Sequence, residues 1–238
     1  MLAPGARLGA RLSQPGTPRA SRLKPCADRS PVPRGAAKAP VSCRRVVEPR
    51  TGWFTGAEPF ERERPVTSAA TDLLIDALDR VREGVHEVVD GLDRGQLAAR
   101  VDDGANSIAW LVWHLTRIED DHVAGVAGTD QVWHTEGWYD RFGLPLPRHD
   151  HGYGHTAEQV ASVVVEPDLL LGYHDATHAA AVAYLRTLED AEMSRVVDTR
   201  WDPPVTLAVR LVSVVNDCTQ HVGQAAFARG ILQRRTQG

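Results

Sequence analysis

The chain has few cysteines and no long apolar run. Only Cys26, Cys43 and Cys218 occur among 238 residues, too few for the disulfide framework of a small secreted domain. Only Cys218 lies in the part of the chain with hydrophobic periodicity, and one cysteine in a domain is typical of a reducing cytoplasm. No stretch reaches the roughly 18 apolar residues of a membrane-spanning helix. We therefore predict a cytoplasmic protein without membrane association.

Lysine is also rare, and both lysines lie in the first 50 residues. That segment holds eleven Lys and Arg against two Asp and Glu, with eight of the 15 prolines. It lacks hydrophobic periodicity, which predicts a disordered basic extension over residues 1–65 and a folded domain over 66–238. The extension could be a functional tail, a targeting peptide, or an upstream reading frame if translation starts near Val66. The remaining residues hold 16 basic and 29 acidic side chains, which argues against nucleic-acid binding.

Helical spacing dominates the rest of the chain, and alternation of the strand type is absent. We predict long helices over residues 68–91, 106–128, 166–188 and 206–232, and a short one over 157–164. Asn106 and Thr206 are good N-caps, and Pro167 suits a first helical turn. A connection over residues 128–156, rich in Trp, Gly, Pro and His, is long enough to let the second and third helices run parallel. These features predict an all-α four-helix bundle whose crossover forms a wall or lid.

A metal-ligand pattern lies on the last predicted helix. Asp217 and His221 are four residues apart, so their side chains share one helix face. A third ligand would come from another helix, and His114 on the second helix is the best candidate. Two imidazoles and a carboxylate suit Zn²⁺ with an open position, or ferrous iron. From spacing alone, the pair could equally be a surface ion pair or a metal-free network in which Asp217 orients His221.

Other histidines compete for the same role. His174 and His178 repeat the four-residue spacing on the third helix. His149, His151 and His155 in the long connection could form a mobile metal patch, although we expect an exposed loop.

Two further groups near the predicted ligands have simple interpretations. Glu119, Asp120 and Asp121 follow His114, and we expect a solvated helix end, with Asp121 in reach of the metal ligands. Cys218 is turned about 100° from Asp217 along the helix, and we expect a small core residue there.

The stretches NSIAWLVWHLTRIEDDH and NDCTQHVGQAAFARG resemble those of the DinB-like superfamily. The closer similarity is to its actinobacterial branch, associated with mycothiol-dependent S-transfer, and it covers residues 66–232. The resemblance implies a bundle of up-down-down-up connectivity and a metal triad of His114, Asp217 and His221. Many members have histidine at the position of Asp217, whereas mycothiol-dependent maleylpyruvate isomerases have a carboxylate. Only 17 residues follow His221, so we expect no extra C-terminal domain of the isomerase type, which argues against maleylpyruvate as the substrate.

The resemblance also implies an activity. A divalent metal, most simply Zn²⁺ with Ni²⁺ or Fe²⁺ as alternatives, would bind mycothiol as a thiolate that attacks a small electrophile. The rivals are a metallohydrolase that uses metal-bound water and a non-catalytic metal-binding stress protein. We expect a homodimer, since helical bundles often pair. Candidates for substrate or ligand-supporting residues are Asp121, Arg141, Tyr153, Trp201, Arg210 and Gln224.

Overall fold

A computed structural model describes residues 68–236 of the chain. The predicted extension over residues 1–65 and the proposed start near Val66 lie outside this part. The helices are α1 (Ala69–Val89), α2 (Arg94–Ala98), α3 (Ile108–Ala127), α4 (Val132–Thr135), α5 (Trp138–Phe142), α6 (Ala157–Ala161), α7 (Pro167–Leu185) and α8 (Leu207–Thr236). A 3₁₀ turn (Asp190–Ser194) and a two-stranded antiparallel sheet, β1 (Val196–Asp198) with β2 (Val205–Thr206), connect α7 to α8. None of the helices in this part combines the length and apolarity that crossing a membrane requires.

The four long helices are the predicted ones, with shifts at their ends. The N-cap of α3 is Ser107 rather than Asn106, because the Ser107 hydroxyl accepts the Trp110 amide at 3.1 Å. Pro167 opens α7 as predicted, and Thr206 accepts the Val209 amide at 3.4 Å at the start of α8. The last helix runs to Thr236 rather than 232. Gly230 lies inside it, and a glycine inside a helix costs only about 1 kcal/mol and need not end it.

Contacts between the long helices determine their directions. Pairs in contact are Asp79–His178 and His86–Asp175 between α1 and α7, Leu115–Cys218 and His122–Arg210 between α3 and α8, Arg117–Tyr173 and Val126–Tyr184 between α3 and α7, and Gly84–Val222 and Glu87–Arg229 between α1 and α8. In the pairs α1–α7 and α3–α8, residue numbers rise along one helix and fall along the other, so these helices are antiparallel. In the pairs α3–α7 and α1–α8 they rise along both, so these helices are parallel. The connectivity is up-down-down-up, which confirms the predicted fold.

Helix α3 forms the centre of the core. Residues 107–117 are all buried, because α7 and α8 cover two sides and the crossover covers a third. Trp133 and Trp138 of the crossover pack against the buried ring of Tyr173, with ring centroids 4.9 and 5.8 Å away. The long connection is therefore a wall of the bundle, and α4 and α5 are its folded parts.

The expected solvated helix end after His114 was wrong. Glu119 and Asp120 are buried in the interior. Asp120 accepts the backbone amides of Val132 and Trp133 at 2.9 and 2.8 Å and the Tyr173 hydroxyl at 2.8 Å. The carboxylate therefore fixes the start of α4 to α3.

Candidate metal centre

Three predicted ligands meet between α3 and α8. His114 of α3 lies beside Asp217 and His221 of α8, and one ligand atom from each residue is within 4.8 Å of the other two. The two imidazole rings are nearly perpendicular, with centroids 4.7 Å apart. Nε2 of His221 is 3.7 Å from Oδ2 of Asp217. Because α3 and α8 run in opposite directions, residues that are 103 positions apart reach one point.

The ring of His114 is held in one orientation. Its Nδ1 contacts the carbonyl oxygen of His151, which can only accept a hydrogen bond, so Nδ1 carries the proton and Nε2 keeps a lone pair. The indole of Trp110 stacks on the ring with centroids 4.6 Å apart. Burial lowers the pKa of His114 to about 4. The side chain is thus a neutral imidazole at neutral pH, the form that binds metals.

The partners on α8 complete the donor set. Nδ1 of His221 is 3.0 Å from Oε1 of Gln224, so a protonated Nδ1 donates there and Nε2 remains free for a ligand. Oδ2 of Asp217 is buried and has no hydrogen-bond partner among the described residues. A buried carboxylate oxygen rarely lacks a partner. An oxygen and two imidazole nitrogens in this arrangement are a donor set that accepts a divalent cation such as Zn²⁺.

The loop that supports His114 comes from the end of the crossover. Gly152 has φ of 95°, and a Cβ there would lie 2.8 Å from Nδ1 of His114. His155 accepts the indole N–H of Trp110 at 3.0 Å and lies 2.9 Å from Asp150. The expected exposed loop was therefore wrong for His151 and His155, which contact α3. The sequence gives no signal for this, because the supporting carbonyl follows His114 by 37 residues.

The competing histidines lie elsewhere. His174 is fully buried, with Nδ1 3.2 Å from the Thr116 hydroxyl. His178 is 2.8 Å from Asp79 on α1. In residues 68–236, the only group of three possible ligands is the one around Asp217.

A cavity of about 470 Å³ opens beside the candidate ligands. It is lined by His114, Ile118, His122, His151, Tyr153, Asp198, Arg200, Trp201, Val205, Val209, Arg210, Ser213 and Asp217. Asp198 and Arg200 were not predicted, because β1, which ends at Asp198, is too short to show alternation and Arg200 lies in the irregular connection that follows it. The small sheet of β1 and β2 was not predicted for the same reason.

The six substrate or support candidates are split by the structure. Tyr153, Trp201 and Arg210 line the cavity, and Gln224 contacts His221. Asp121 instead accepts a hydrogen bond from Gln131 at 2.7 Å.

Two remaining expectations concern residues away from the cavity. The guanidinium of Arg141 lies over the ring of Trp138, 3.6 Å from its centroid, and not in the cavity wall. Cys218 is fully buried, and burial raises the pKa of its thiol. It is a core residue, as predicted.

The chain is similar to a known protein family and to a solved structure. The family model described as mycothiol-S-transferase matches residues 73–233. The chain belongs to this family. A solved structure titled as the conserved protein of locus from Enterococcus faecalis is similar, with 34% identity and a TM-score of 0.65, over 68% of this chain and 96% of that one. No curated protein gave a significant match.

Membership of the mycothiol-S-transferase family confirms the resemblance to the DinB-like superfamily that the two helical stretches carry. The matched range contains all three candidate ligands and the residues of the cavity. The family description relates the chain to mycothiol-dependent S-transfer.

Proposed function

We propose that the chain is a divalent-metal-dependent S-transferase that joins mycothiol to a small electrophile, with His114, Asp217 and His221 as metal ligands. The observation that carries the proposal is the convergence of these three donors beside a cavity in a member of the mycothiol-S-transferase family. Zn²⁺ is the simplest cation for two nitrogens and one oxygen, and Ni²⁺ and Fe²⁺ are the alternatives. Since the co-substrate is a thiol, we also propose a reducing, cytoplasmic location.

The two imidazoles are held in the orientation that metal binding requires. A divalent cation held there would keep a coordinating thiol deprotonated at neutral pH. The carbonyl of His151 and the ring of Trp110 fix His114, and Gln224 fixes the ring of His221. Both imidazoles therefore keep Nε2 available without a change of rotamer, and this preorganisation favours binding.

The cavity beside the three ligands would receive the thiol and the electrophile. The sulfur forms a bond to the electrophilic carbon, the thiol proton passes to solvent, and the leaving group departs with its bonding electron pair. Trp201 and Tyr153 are 66% and 87% exposed at the cavity. Exposed aromatic faces of this kind suit the sugar part of mycothiol.

Metal content is the first test. Elemental analysis of the purified full-length protein should give one equivalent of zinc or a related divalent ion, and His114→Ala should lose it. His178→Ala is the matched control, because His178 lies on α7 and pairs with Asp79, so it should keep the metal. Equal metal content in all three proteins would refute the ligand set.

The activity test follows the thiol. The metal-loaded protein should consume mycothiol in the presence of an aryl halide, and the reaction should stop after chelation. Hydrolysis of esters or amides without thiol consumption would instead support a metallohydrolase. Metal binding without either reaction would support a non-catalytic role.

A further inference from the structure

One wall of the cavity carries an arginine in a fixed position. Arg210 precedes Asp217 by seven residues on α8, so both face the cavity. Its Nη1 lies 3.1 Å from Nδ1 of His122 and its Nη2 lies 3.1 Å from Oδ2 of Asp198. A guanidinium has five N–H donors. These two bonds use two of them and leave three without an acceptor in residues 68–236.

A second arginine shares the same carboxylate. Arg200 binds Asp198 in a fork, with Nε and Nη2 at 3.0 and 2.8 Å from its two oxygens. Its side chain is 84% exposed, whereas that of Asp198 is 6% exposed. The hydrogen bonds from Arg200 lower the pKa of Asp198 well below its usual range, so this carboxylate stays ionised. One negative charge therefore faces two positive ones.

A third donor follows from the first contact. Because a guanidinium only donates, Nδ1 of His122 must accept from Arg210, and Nε2 then carries the proton. Burial, with the charge of Arg210, lowers the pKa of His122, which agrees with a neutral ring. The nearby Asp121 lies 3.5 Å from Nδ1 of His122 and does not line the metal cavity. It lines the neighbouring groove, whose wall also includes His122, Asp198, Arg200 and Arg210. Apart from the proposed ligand Asp217, the charged side chains that line the metal cavity are therefore two guanidinium groups and one carboxylate.

We propose that Arg210, assisted by Arg200 and His122, binds the carboxylate of an anionic electrophile whose reacting carbon lies at the metal centre. This inference rests on the proposed function and names the substrate class of that site. The thiol partner carries sugar hydroxyls, which need no positive wall. A carboxylate on the second substrate does, and guanidinium groups bind carboxylates in a fork geometry. Asp217 does not cancel the charge, because it belongs to the proposed metal ligands.

The binding test avoids the thiol altogether. Calorimetry would compare 3,5-dinitrobenzoate with 3,5-dinitrobenzamide, which differ only in the carboxylate, on the full-length protein with and without zinc. We expect the benzoate to bind at least about tenfold more tightly, and Arg210→Gln to remove that preference. After chelation the preference should become smaller, because the charge of Asp217 is then uncompensated, but the part that remains should still be lost in Arg210→Gln. Tighter benzoate binding that needs zinc and survives Arg210→Gln would mean that the carboxylate binds the metal, and would overturn the proposal.

Two further variants separate recognition from folding. Arg200→Gln alters an exposed side chain, so it should fold normally and weaken benzoate binding by a smaller factor. Arg80→Gln is the charge control, because Arg80 forms an exposed pair with Asp76 on α1. Arg80→Gln also removes one positive charge, and it should leave the affinities for the benzoate and the benzamide unchanged. An equal loss of benzoate binding in Arg80→Gln and Arg210→Gln would contradict a local site.

The reaction test uses 4-chloro-3,5-dinitrobenzoate and its amide with mycothiol and the metal-loaded protein. In both, sulfur bonds to the ring carbon, chloride leaves with its electron pair, and the thiol proton goes to the buffer. Each kcat/KM is divided by the rate constant of the uncatalysed reaction of the same compound, and the resulting value should be higher for the benzoate. Arg210→Gln should raise the KM for the benzoate. Transfer to both compounds without any preference would leave the proposed function intact and refute this inference. An Arg210-dependent binding preference without thiol consumption would support the carboxylate site and refute the proposed function.

Discussion

Single residues outside the bundle helices determine how the candidate ligands are presented. His114 is buried on α3, but the atom that orients it is the backbone carbonyl of His151. That carbonyl reaches the ring because Gly152 lets the chain pass close to Nδ1. A hydrogen-bond partner of this kind fixes both the tautomer and the direction of a metal-binding imidazole.

Gly152→Ala should therefore weaken metal binding by about 10–100-fold. The new Cβ would lie 2.8 Å from Nδ1 of His114 and 3.0 Å from the Trp110 ring, so the ring or the loop must move. Gly154→Ala is a matched control, because Gly154 also has positive φ, 74°, but has nothing within 4 Å of the added atom. Zinc affinities from competition with a chromogenic chelator would separate the two. Similar losses in both variants would indicate loop strain alone and contradict the steric argument.

Glu119 provides a second residue-scale effect. It is fully buried and neither carboxyl oxygen has a hydrogen-bond partner in the described part of the chain. Burial raises its pKa to about 8 from an ordinary 4.5. Between these values the folded protein keeps a proton that the unfolded chain releases. The free energy of unfolding should therefore fall as pH rises through this range, by up to about 1.4 kcal/mol per unit.

Glu119→Gln should remove this slope, because an amide cannot release the proton. Urea unfolding of the metal-free protein between pH 6.5 and 8 would measure it. Glu83→Gln makes the same substitution at an exposed position and should keep the wild-type slope. Parallel pH profiles for the wild type and Glu119→Gln would show that Glu119 does not titrate in this range.

At the scale of elements, the sequence predicts long helices well and short ones poorly. The helices α1, α3, α7 and α8 bury a face over five or more turns, so their apolar spacing is legible. By contrast, α4 has four residues and depends on Asp120 of another helix. Elements held by such distant contacts leave no periodic signal in their own residues.

The attachment of α4 can be tested through Asp120. Asp120→Asn loses the charge beside the buried Arg117, 3.6 Å away. Since an amide has only one oxygen, either Val132 or Trp133 also loses the acceptor of its backbone N–H. Loss of one partner in a buried pair typically costs about 3–5 kcal/mol. Asp121→Asn changes a partly exposed neighbour with a single bond to Gln131, so we expect less than about 1 kcal/mol. Urea denaturation of both variants would test this, and equal losses would argue against an anchoring role.

At the scale of the whole molecule, the candidate centre joins two helices that are far apart in sequence. Spacing alone left Asp217 and His221 as ligands, a surface ion pair or a metal-free network, with His114 as the best candidate for a third ligand. The resemblance implied the metal triad. The antiparallel packing of α3 and α8 brings the three together, since Trp110 and Leu115 contact the same stretch of α8. Part of the cavity wall was not predicted, because nothing in the spacing of Asp198 and Arg200 marks them in their irregular connection.

Acid should act on this assembly through two buried histidines, and metal through only one of them. Burial lowers the pKa of His114 to about 4 and that of His174 to about 3, from an ordinary 6.5. As pH falls below 6.5, the unfolded chain binds protons that the folded protein excludes, so the free energy of unfolding should decrease. Asn at either position should reduce this acid loss in the metal-free protein. Zinc at about 100 times its dissociation constant should stabilise the wild type by about 2.7 kcal/mol at pH 7.5.

Only one of the two substitutions should remove that stabilisation. His174 lies away from the candidate ligands and contacts Thr116, so His174→Asn should keep the zinc effect, whereas His114→Asn should lose it. Thermal unfolding with zinc and with a chelator, at pH 5 and 7.5, would measure both effects in each variant. Loss of the zinc effect in both variants would mean that metal binding depends on core packing in general, and its retention in His114→Asn would exclude His114 as a ligand.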